Sequence, residues 1–202
     1  TGFGRLGHFF ASEPVFDIVP DILTCAKGLT SGYLPLAATI ISDRLYDQVE
    51  GENAGGQSFS NGYTYSAHPV SCAAALKNIE IMEREKICEH VLEVGPYLHE
   101  KLEELRDLSI VGDVRGKMLM GCVEAVMDKD TREAFPYEAQ IGKRIDVHAQ
   151  ERGLILRPFG SMCVFSPPLV ITKDQIDTMV GIMREAIEAT IADLRSEGLW
   201  DG

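Results

Sequence analysis

A single lysine lies where a predicted strand ends and a run of small residues begins. The apolar run at residues 22–26 predicts a buried strand, and Lys27 follows it directly, ahead of the sequence Gly-Leu-Thr-Ser-Gly. Small side chains at a strand end leave room for a large planar ligand beside the amine. A free lysine amine is protonated at neutral pH, but an amine joined to an aldehyde as an imine can exchange with a substrate amine. Lys27 is therefore a candidate Schiff-base residue, and the alternative is an exposed structural lysine.

A second polar segment precedes the helix that is predicted to begin at Pro69. It contains Thr64 and Ser66, and hydroxyl groups beside free backbone N–H groups at a helix start suit a phosphate. The alternative is that these hydroxyls cap the helix. We interpret His68, in the same segment, as structural, because Pro69 fixes the turn and no carboxylate that could orient the imidazole lies nearby in the sequence.

The third candidate is an arginine near the end of another predicted strand. Arg157 lies in the run at residues 154–158, and a guanidinium group in that position requires a carboxylate partner. A substrate could supply that carboxylate, and so could an internal Asp or Glu of this acidic chain. Both interpretations stay open on the sequence alone.

The elements that must position these residues form two blocks. The first contains strands at residues 22–26 and 37–42, both predicted to be buried, then a short helix at 42–49 and a glycine-rich loop at 50–60. From Pro69 to about residue 84 the period becomes helical, and the predicted apolar stripe consists of Val70, Ala73, Ala74, Leu76, Ile79, Ile81 and Met82. A further helix is predicted at about 85–108, with Gly95-Pro96 as a bend or a restart.

The second block is a smaller α+β pattern. It contains two strands around a glycine turn at residues 111–124, a helix at 137–152, strands at 154–158 and 162–166, and a last helix that ends near 196. Thr172 with Gln175 three residues later forms a capping box at the start of that helix. The predicted domains are residues 1–84, the end of an α/β domain, residues 85–108, a connecting helix, and residues 109–202, a small α+β domain.

Composition and charge narrow the class of protein. The 202 residues are 45% hydrophobic and carry a net charge of −12, which argues against nucleic acid and against an anionic membrane surface as partners. The five cysteines are scattered without a CxxC pair, which favours reduced thiols in a cytoplasmic setting. No metal site and no transmembrane segment are predicted. The chain does not begin with Met, and we expect it to be a piece of a longer protein.

Four motifs together resemble one family across essentially the whole chain. They are Thr-Gly-Phe-Gly-Arg at residues 1–5, Ala-Lys-Gly-Leu-Thr-Ser-Gly-Tyr at 26–33, Thr-Tyr-Ser-Ala-His-Pro at 64–69, and Arg-Pro-Phe-Gly at 157–160 before Ser-Pro-Pro-Leu-Val-Ile-Thr. They resemble the class III (ω-amino acid type) aminotransferases, which are pyridoxal-phosphate enzymes. The resemblance implies a fold-type I α/β architecture, with the end of the large three-layer α/β/α domain followed by a small C-terminal α+β domain.

The resemblance also implies roles for the candidate residues. Lys27 would form the Schiff base with pyridoxal 5′-phosphate, Thr64 would reach the cofactor phosphate of the other subunit, and Arg157 would bind the substrate carboxylate. An Asp that pairs with the pyridine nitrogen would directly precede residue 1. The implied reaction is ping-pong transfer of an amino group from an amine or ω-amino acid to a keto acid, with pyruvate the expected acceptor, in a homodimer or a tetramer whose active site is shared.

Three alternatives stay open beside this reading. The chain could be a non-catalytic dimerisation or scaffold remnant of such an enzyme. It could belong to a decarboxylase or racemase with the same scaffold and cofactor. A Lys27 Schiff-base lyase without pyridoxal phosphate is the weakest of the three, because such sites usually lie in a closed barrel and this pattern is not that of a barrel.

Overall fold

The computed structural model describes residues 2–56 and 58–202, which form two units. The units are Thr1–Cys88 and Glu89–Gly202. Thr1, the first residue of the 1–5 motif, and Gln57, in the predicted loop 50–60, lie outside the described residues.

Unit one contains short strands, short helices and one long helix. In chain order these are α1 (Ser12–Phe16), β1 (Ile22–Cys25), a 3-10 turn (Lys27–Thr30), β2 (Ala38–Ile41), α2 (Asp43–Val49), a second 3-10 turn (Glu52–Ala54) and α3 (Pro69–Arg84). The strands β1 and β2 are antiparallel, with Cys25 opposite Ala38 and Ile22 opposite Ile41. The element types predicted at 22–26, 37–42, 42–49 and 69–84 are confirmed.

Two burial predictions for this unit are wrong in part, although Leu23 and Cys25 of β1 are half-buried and Met82 of the predicted stripe is buried. Both strands were expected to be buried, but Ile22, Ile40 and Ile41 are exposed, since within the described residues β1 and β2 pair only with each other. The predicted stripe on α3 is also displaced, because Val70 is 58% and Leu76 is 70% exposed. The face that turns inward contains Ser71, Ala75, Asn78 and Met82, and it packs against the 3-10 turn that begins at Lys27.

Unit two contains a four-stranded antiparallel sheet with three helices. Helix α4 (Ile87–Glu103) runs into this unit, a 3-10 turn (Glu104–Asp107) follows, and then come β3 (Val111–Lys117), β4 (Met120–Ala125), a 3-10 turn (Tyr137–Ala139), α5 (Ile141–Glu151), β5 (Arg157–Phe159), β6 (Met162–Phe165) and α6 (Lys173–Ser196). The strand order is β3-β4-β6-β5. Leu98, Leu102, Ile145, Met183 and Ile187 are among the fully buried side chains of its core.

Three boundaries in this unit differ from the prediction. The helix predicted at 137–152 is interrupted at Gln140, whose φ of 47° is left-handed, so a 3-10 turn precedes α5. The strand predicted at 154–158 begins only at Arg157, which lies opposite Val164 and is the first residue to pair with β6. The helix predicted at 85–108 ends at Glu103, and it continues through Pro96 without a restart.

The capping box at the start of α6 is confirmed. The Gln175 N–H donates to Thr172 Oγ1 over 3.3 Å, and the Thr172 N–H donates to Gln175 Oε1 over 2.9 Å. Over residues 2–56 and 58–202, no helix combines the length and the apolar character that crossing a membrane requires.

Candidate active site

Lys27 is the first residue of the 3-10 turn that follows β1. Its φ is 53°, in the left-handed region, which costs a residue with a side chain about 1–2 kcal/mol. The turn is closed by the Ser31 N–H, which donates to Gly28 O, and by the Gly32 N–H, which donates to Lys27 O, both over 3.2 Å. The Lys27 side chain is exposed, and its amine has no hydrogen-bond or ion-pair partner among the described residues. Lys86 shares the left-handed φ, so the feature that distinguishes Lys27 is the cavities beside its amine.

Two neighbours pack against the turn. A Cβ placed on Gly28 would lie 2.8 Å from the Cβ of Phe3, so the turn and the 2–9 loop approach each other at van der Waals contact. Phe3 is buried, and its N–H donates to Phe9 O over 2.7 Å. The Asn78 Nδ2 of α3 donates to Gly28 O over 2.9 Å and to Leu29 O over 3.2 Å. Phe3, which lies between two glycines, therefore marks the place where the 2–9 loop closely approaches the 3-10 turn Lys27–Thr30, called the lysine turn below.

Lys27 borders two open cavities of unit one. The first has a volume of about 740 Å³, and small residues that include Gly2, Ala26, Ala37 and Ala38 form much of its wall. The second has a volume of about 810 Å³ and is lined on one side by hydroxyl-bearing residues of the segment before α3, namely Tyr63, Tyr65 and Ser66. Both volumes lie within the range of pockets that bind small ligands or cofactors.

The segment that contains Thr64 does not cap α3. Helix α3 has His68 as its N-cap without a side-chain hydrogen bond and begins at Pro69, so the capping alternative for Thr64 and Ser66 is wrong. The Ser66 hydroxyl instead accepts from the Tyr63 N–H over 3.2 Å. Thr64 is exposed, and its hydroxyl has no partner in the part of the chain that the structure describes. Its neighbours line the second cavity of Lys27, although Thr64 itself is not among the lining residues.

Arg157 is exposed at the start of β5 in unit two. It pairs with Val164 in the sheet, and no acidic side chain of the described residues forms an ion pair with it. Arg115 behaves differently, since it contacts Asp113 over 2.8 Å and also Glu124, and these hydrogen bonds raise its pKa above the usual value. Among the described residues, Arg115 therefore forms an internal ion pair, whereas Arg157, for which the sequence left that alternative open, does not.

Sequence reasoning missed Asn78. A signal was present, because an asparagine at the spacing of Ser71, Ala75 and Met82 is a polar residue on the inward face of a helix. Such a residue requires hydrogen-bond partners when it is withdrawn from water. The direction of that face depends on tertiary packing, and the apolar stripe predicted for α3 pointed elsewhere.

Comparison with known proteins gives a consistent result. Residues 1–187 match the family described as aminotransferase class-III. The chain is 41% identical over 190 residues to the adenosylmethionine-8-amino-7-oxononanoate aminotransferase of Anoxybacillus flavithermus, covering 94% of this chain and 42% of that protein. It is 42% identical over 192 residues to the putrescine–pyruvate aminotransferase of Pseudomonas aeruginosa, covering 95% and 41%. The chain spans about two fifths of the length of these curated relatives.

Solved structures agree in fold. The crystal structure of a thermostable (S)-enantioselective omega-transaminase from Thermomicrobium roseum matches with a TM-score of 0.84 at 39% identity, over 96% of this chain and 42% of that one. The predicted fold class, a fold-type I α/β transferase, is confirmed by such neighbours.

Proposed function

The chain belongs to the class III aminotransferases, and from that premise we propose that the whole protein moves an amino group from an amine or ω-amino acid to a keto acid, with pyruvate as the acceptor. The cofactor of this family is pyridoxal 5′-phosphate, as predicted from the motifs. The observation that supports the proposal is the exposed Lys27 amine, which has no partner among the described residues and borders a cavity walled by small residues.

The residues around Lys27 fit this cofactor. The amine is free to form a covalent link, the first cavity offers about 740 Å³ beside it, and hydroxyls border the second cavity. When bound, pyridoxal phosphate supplies an electron sink that stabilises negative charge on the carbon next to the transferred nitrogen. We propose that Lys27 holds the cofactor and, once released from it, carries the proton to and from that carbon.

Thr64 and Arg157 take the two anionic groups in this proposal. The hydroxyl of Thr64, which has no partner among the described residues, would bind the cofactor phosphate of a neighbouring subunit, which makes the protein a homodimer or a higher assembly with a shared site. Arg157 would bind the substrate carboxylate, and its lack of an acidic partner among the described residues supports that role. The predicted domain limits at residues 84 and 109 are part of the same proposal, as is a cytoplasmic location, which the scattered cysteines without a CxxC pair support.

The test of Lys27 compares two lysines that share a left-handed φ. Lys86 is exposed and has a φ of 52°, so Lys86→Ala changes the left-handed backbone in the same way as Lys27→Ala does. In the native protein, Lys27→Ala should reduce steady-state transamination by about 10³-fold or more, since proton transfer alone contributes about 10²–10⁴-fold. Lys86→Ala should keep wild-type turnover. Appreciable transamination by the Lys27→Ala protein would exclude the assignment, and release of CO₂ by the wild type instead of amino transfer would identify a decarboxylase.

The test of Arg157 uses two acceptors. Arg157→Ala should lower kcat/KM for pyruvate by about 10–100-fold, the effect of losing a charge-assisted contact worth about 1.5–3 kcal/mol, and should leave a simple aldehyde acceptor almost unaffected. The matched control is Arg132→Ala, because Arg132 is also an exposed arginine without an ion pair in the described part of unit two. Equal losses for pyruvate and the aldehyde would remove the carboxylate role.

A further inference from the structure

Asn78 contacts the lysine turn from a helix fifty residues away in sequence. It lies on the inward face of α3, partly buried, and its Nδ2 donates to Gly28 O over 2.9 Å and to Leu29 O over 3.2 Å. The same nitrogen lies 3.7 Å from the sulfur of Met82, one turn further along α3. Both carbonyls belong to the two residues that directly follow Lys27, so this side chain contacts the backbone that sets the direction of the lysine.

The chemistry of the contact requires a carboxamide. An amide nitrogen carries two hydrogens and can serve two carbonyl acceptors, whereas an ionised carboxylate has none. Gly28 O also accepts from the Ser31 N–H, so Asn78 adds a second donor to the carbonyl that closes the turn. Phe3 packs against Gly28 as well. The turn is therefore fixed by a hydrogen-bonded side chain and by a buried ring.

We propose that Asn78 is a positioning residue for Lys27, which maintains the left-handed conformation at Lys27 and so directs the amine into its cavities. The inference rests on the proposed role of Lys27. It also links the two halves of the candidate site in unit one, because α3 begins directly after the segment that contains Thr64. Rotation or fraying of α3 would then change both the lysine turn and the segment that contains Thr64 and Ser66.

The experiment compares two substitutions of Asn78 with a control substitution elsewhere in unit one. Asn78→Asp replaces the donor by a carboxylate facing two carbonyl oxygens, and Asn78→Ala removes the donor without adding charge. Gln48→Glu is the matched control, since it makes the same amide-to-acid change on an exposed position of α2 in the same unit. The native protein is freed of cofactor, mixed with pyridoxal phosphate and reduced with borohydride at timed intervals, and the pyridoxyl mass on Lys27 is quantified by peptide mapping.

We expect the labelling rate of Lys27 to fall about tenfold or more in Asn78→Asp and in Asn78→Ala, as the loss of two neutral hydrogen bonds predicts. Amide hydrogen exchange at Ser31 and Gly32, measured without cofactor, should become faster in both variants, because those N–H groups close the turn. Gln48→Glu should match the wild type in both measurements. The ratio of Asn78→Asp to wild-type labelling should rise as pH falls, because a protonated carboxyl regains one donor. A purely structural defect would not restore that ratio.

Each outcome bears on one claim. If wild-type Lys27 is not labelled, the proposed function fails, whatever the variants do. If wild-type Lys27 is labelled and both Asn78 variants label and exchange at wild-type rates, or if Gln48→Glu is equally slow, the positioning role of Asn78 is overturned and the function stands. If Asn78→Asp does not fold, Asn78→Ala decides the question by the same two measurements.

Discussion

Replacement of Gly28 by alanine tests the close approach on which the geometry of Lys27 depends. The added Cβ would lie 2.8 Å from Phe3 Cβ and 3.3 Å from its Cγ and Cδ2, and contacts under 3.0 Å force a displacement. Gly28 does not have a positive φ, so the backbone itself would accept alanine. Any cost of Gly28→Ala is therefore steric.

The magnitude follows from how little the neighbours can move. The Phe3 side chain is 6% exposed and packs edge to face with Phe9 and Phe10, at ring-centroid distances of 6.3 and 5.8 Å. The clash involves Phe3 Cβ, which cannot swing away as the end of a flexible side chain can. Overpacking of this kind costs about 1–3 kcal/mol, against a gain of about 0.4–1 kcal/mol from the stiffer unfolded chain. We expect Gly28→Ala to lower the free energy of unfolding by about 1–2 kcal/mol.

Activity should fall as well, because the residue next to Gly28 is Lys27. Displacement of a reacting group by about 1 Å can cost about a hundredfold in rate, so we expect a drop in kcat between tenfold and a hundredfold, with a smaller change in KM. The assays are urea unfolding of the native protein, followed by its midpoint and slope, and steady-state transamination.

The control is an alanine substitution whose added Cβ contacts no other part of the protein. Gly181 lies on the exposed side of α6, and a Cβ there has no neighbour within 4 Å. Gly181→Ala should raise the free energy of unfolding by about 0.8–1 kcal/mol through helix propensity and leave kcat unchanged. If Gly28→Ala is as stable as Gly181→Ala and as active as the wild type, then the tight contact between Gly28 and Phe3 does not determine the position of Lys27.

Two further predictions concern unit two. Thr172→Ala should lower the free energy of unfolding by about 1 kcal/mol in urea titrations, because it removes one of the two hydrogen bonds of the capping box and leaves the Gln175 N–H without its acceptor. Burial opposes ionisation of Asp146, whose side chain is 4% exposed, but hydrogen bonds from Lys143 and Gln150 outweigh it and hold its pKa below the usual value. The stabilising effect of Asp146 is therefore complete above the unfolded-state pKa of about 3.9 and is lost as pH falls through the folded-state pKa. We expect the urea midpoint of Asp146→Asn to fall less steeply than that of the wild type below about pH 4. The same decrease of the midpoint with pH in both proteins would contradict this.

The features that sequence predicted well depend on neighbours in the chain. The start of α6 needed only Thr172 and Gln175, three residues apart, and the structure has both hydrogen bonds. The position of Lys27 after a strand followed from an apolar run and the glycine and hydroxyl residues behind it. Such signals act over a few residues, so one sequence is enough to read them.

The features that sequence missed depend on contacts between distant segments. Gln140 interrupts a helix pattern in a left-handed conformation, next to Gly142, where a Cβ would lie 2.4 Å from Gly160 O. The period of the hydrophobic residues does not predict that the loop containing Gly160 approaches Gly142. In the same way, Val70 and Leu76 have the period of a buried stripe and yet are exposed, while Asn78, on another face of α3, contacts Gly28 O in the turn after Lys27.

The large buried side chains of the described residues are distributed unequally between the two units. In the described residues, the connected hydrophobic core extends from Val91 to Trp200 and lies within unit two. Unit one buries fewer large side chains, among them Phe3, Leu6 and Leu29, while β2 is exposed and β1 is half-buried at alternate residues. Among the described residues, the contacts to the residues after Lys27 include those of Asn78 with two carbonyls and of Phe3 with Gly28. Substitutions that break these contacts should affect the lysine more than their buried area alone predicts.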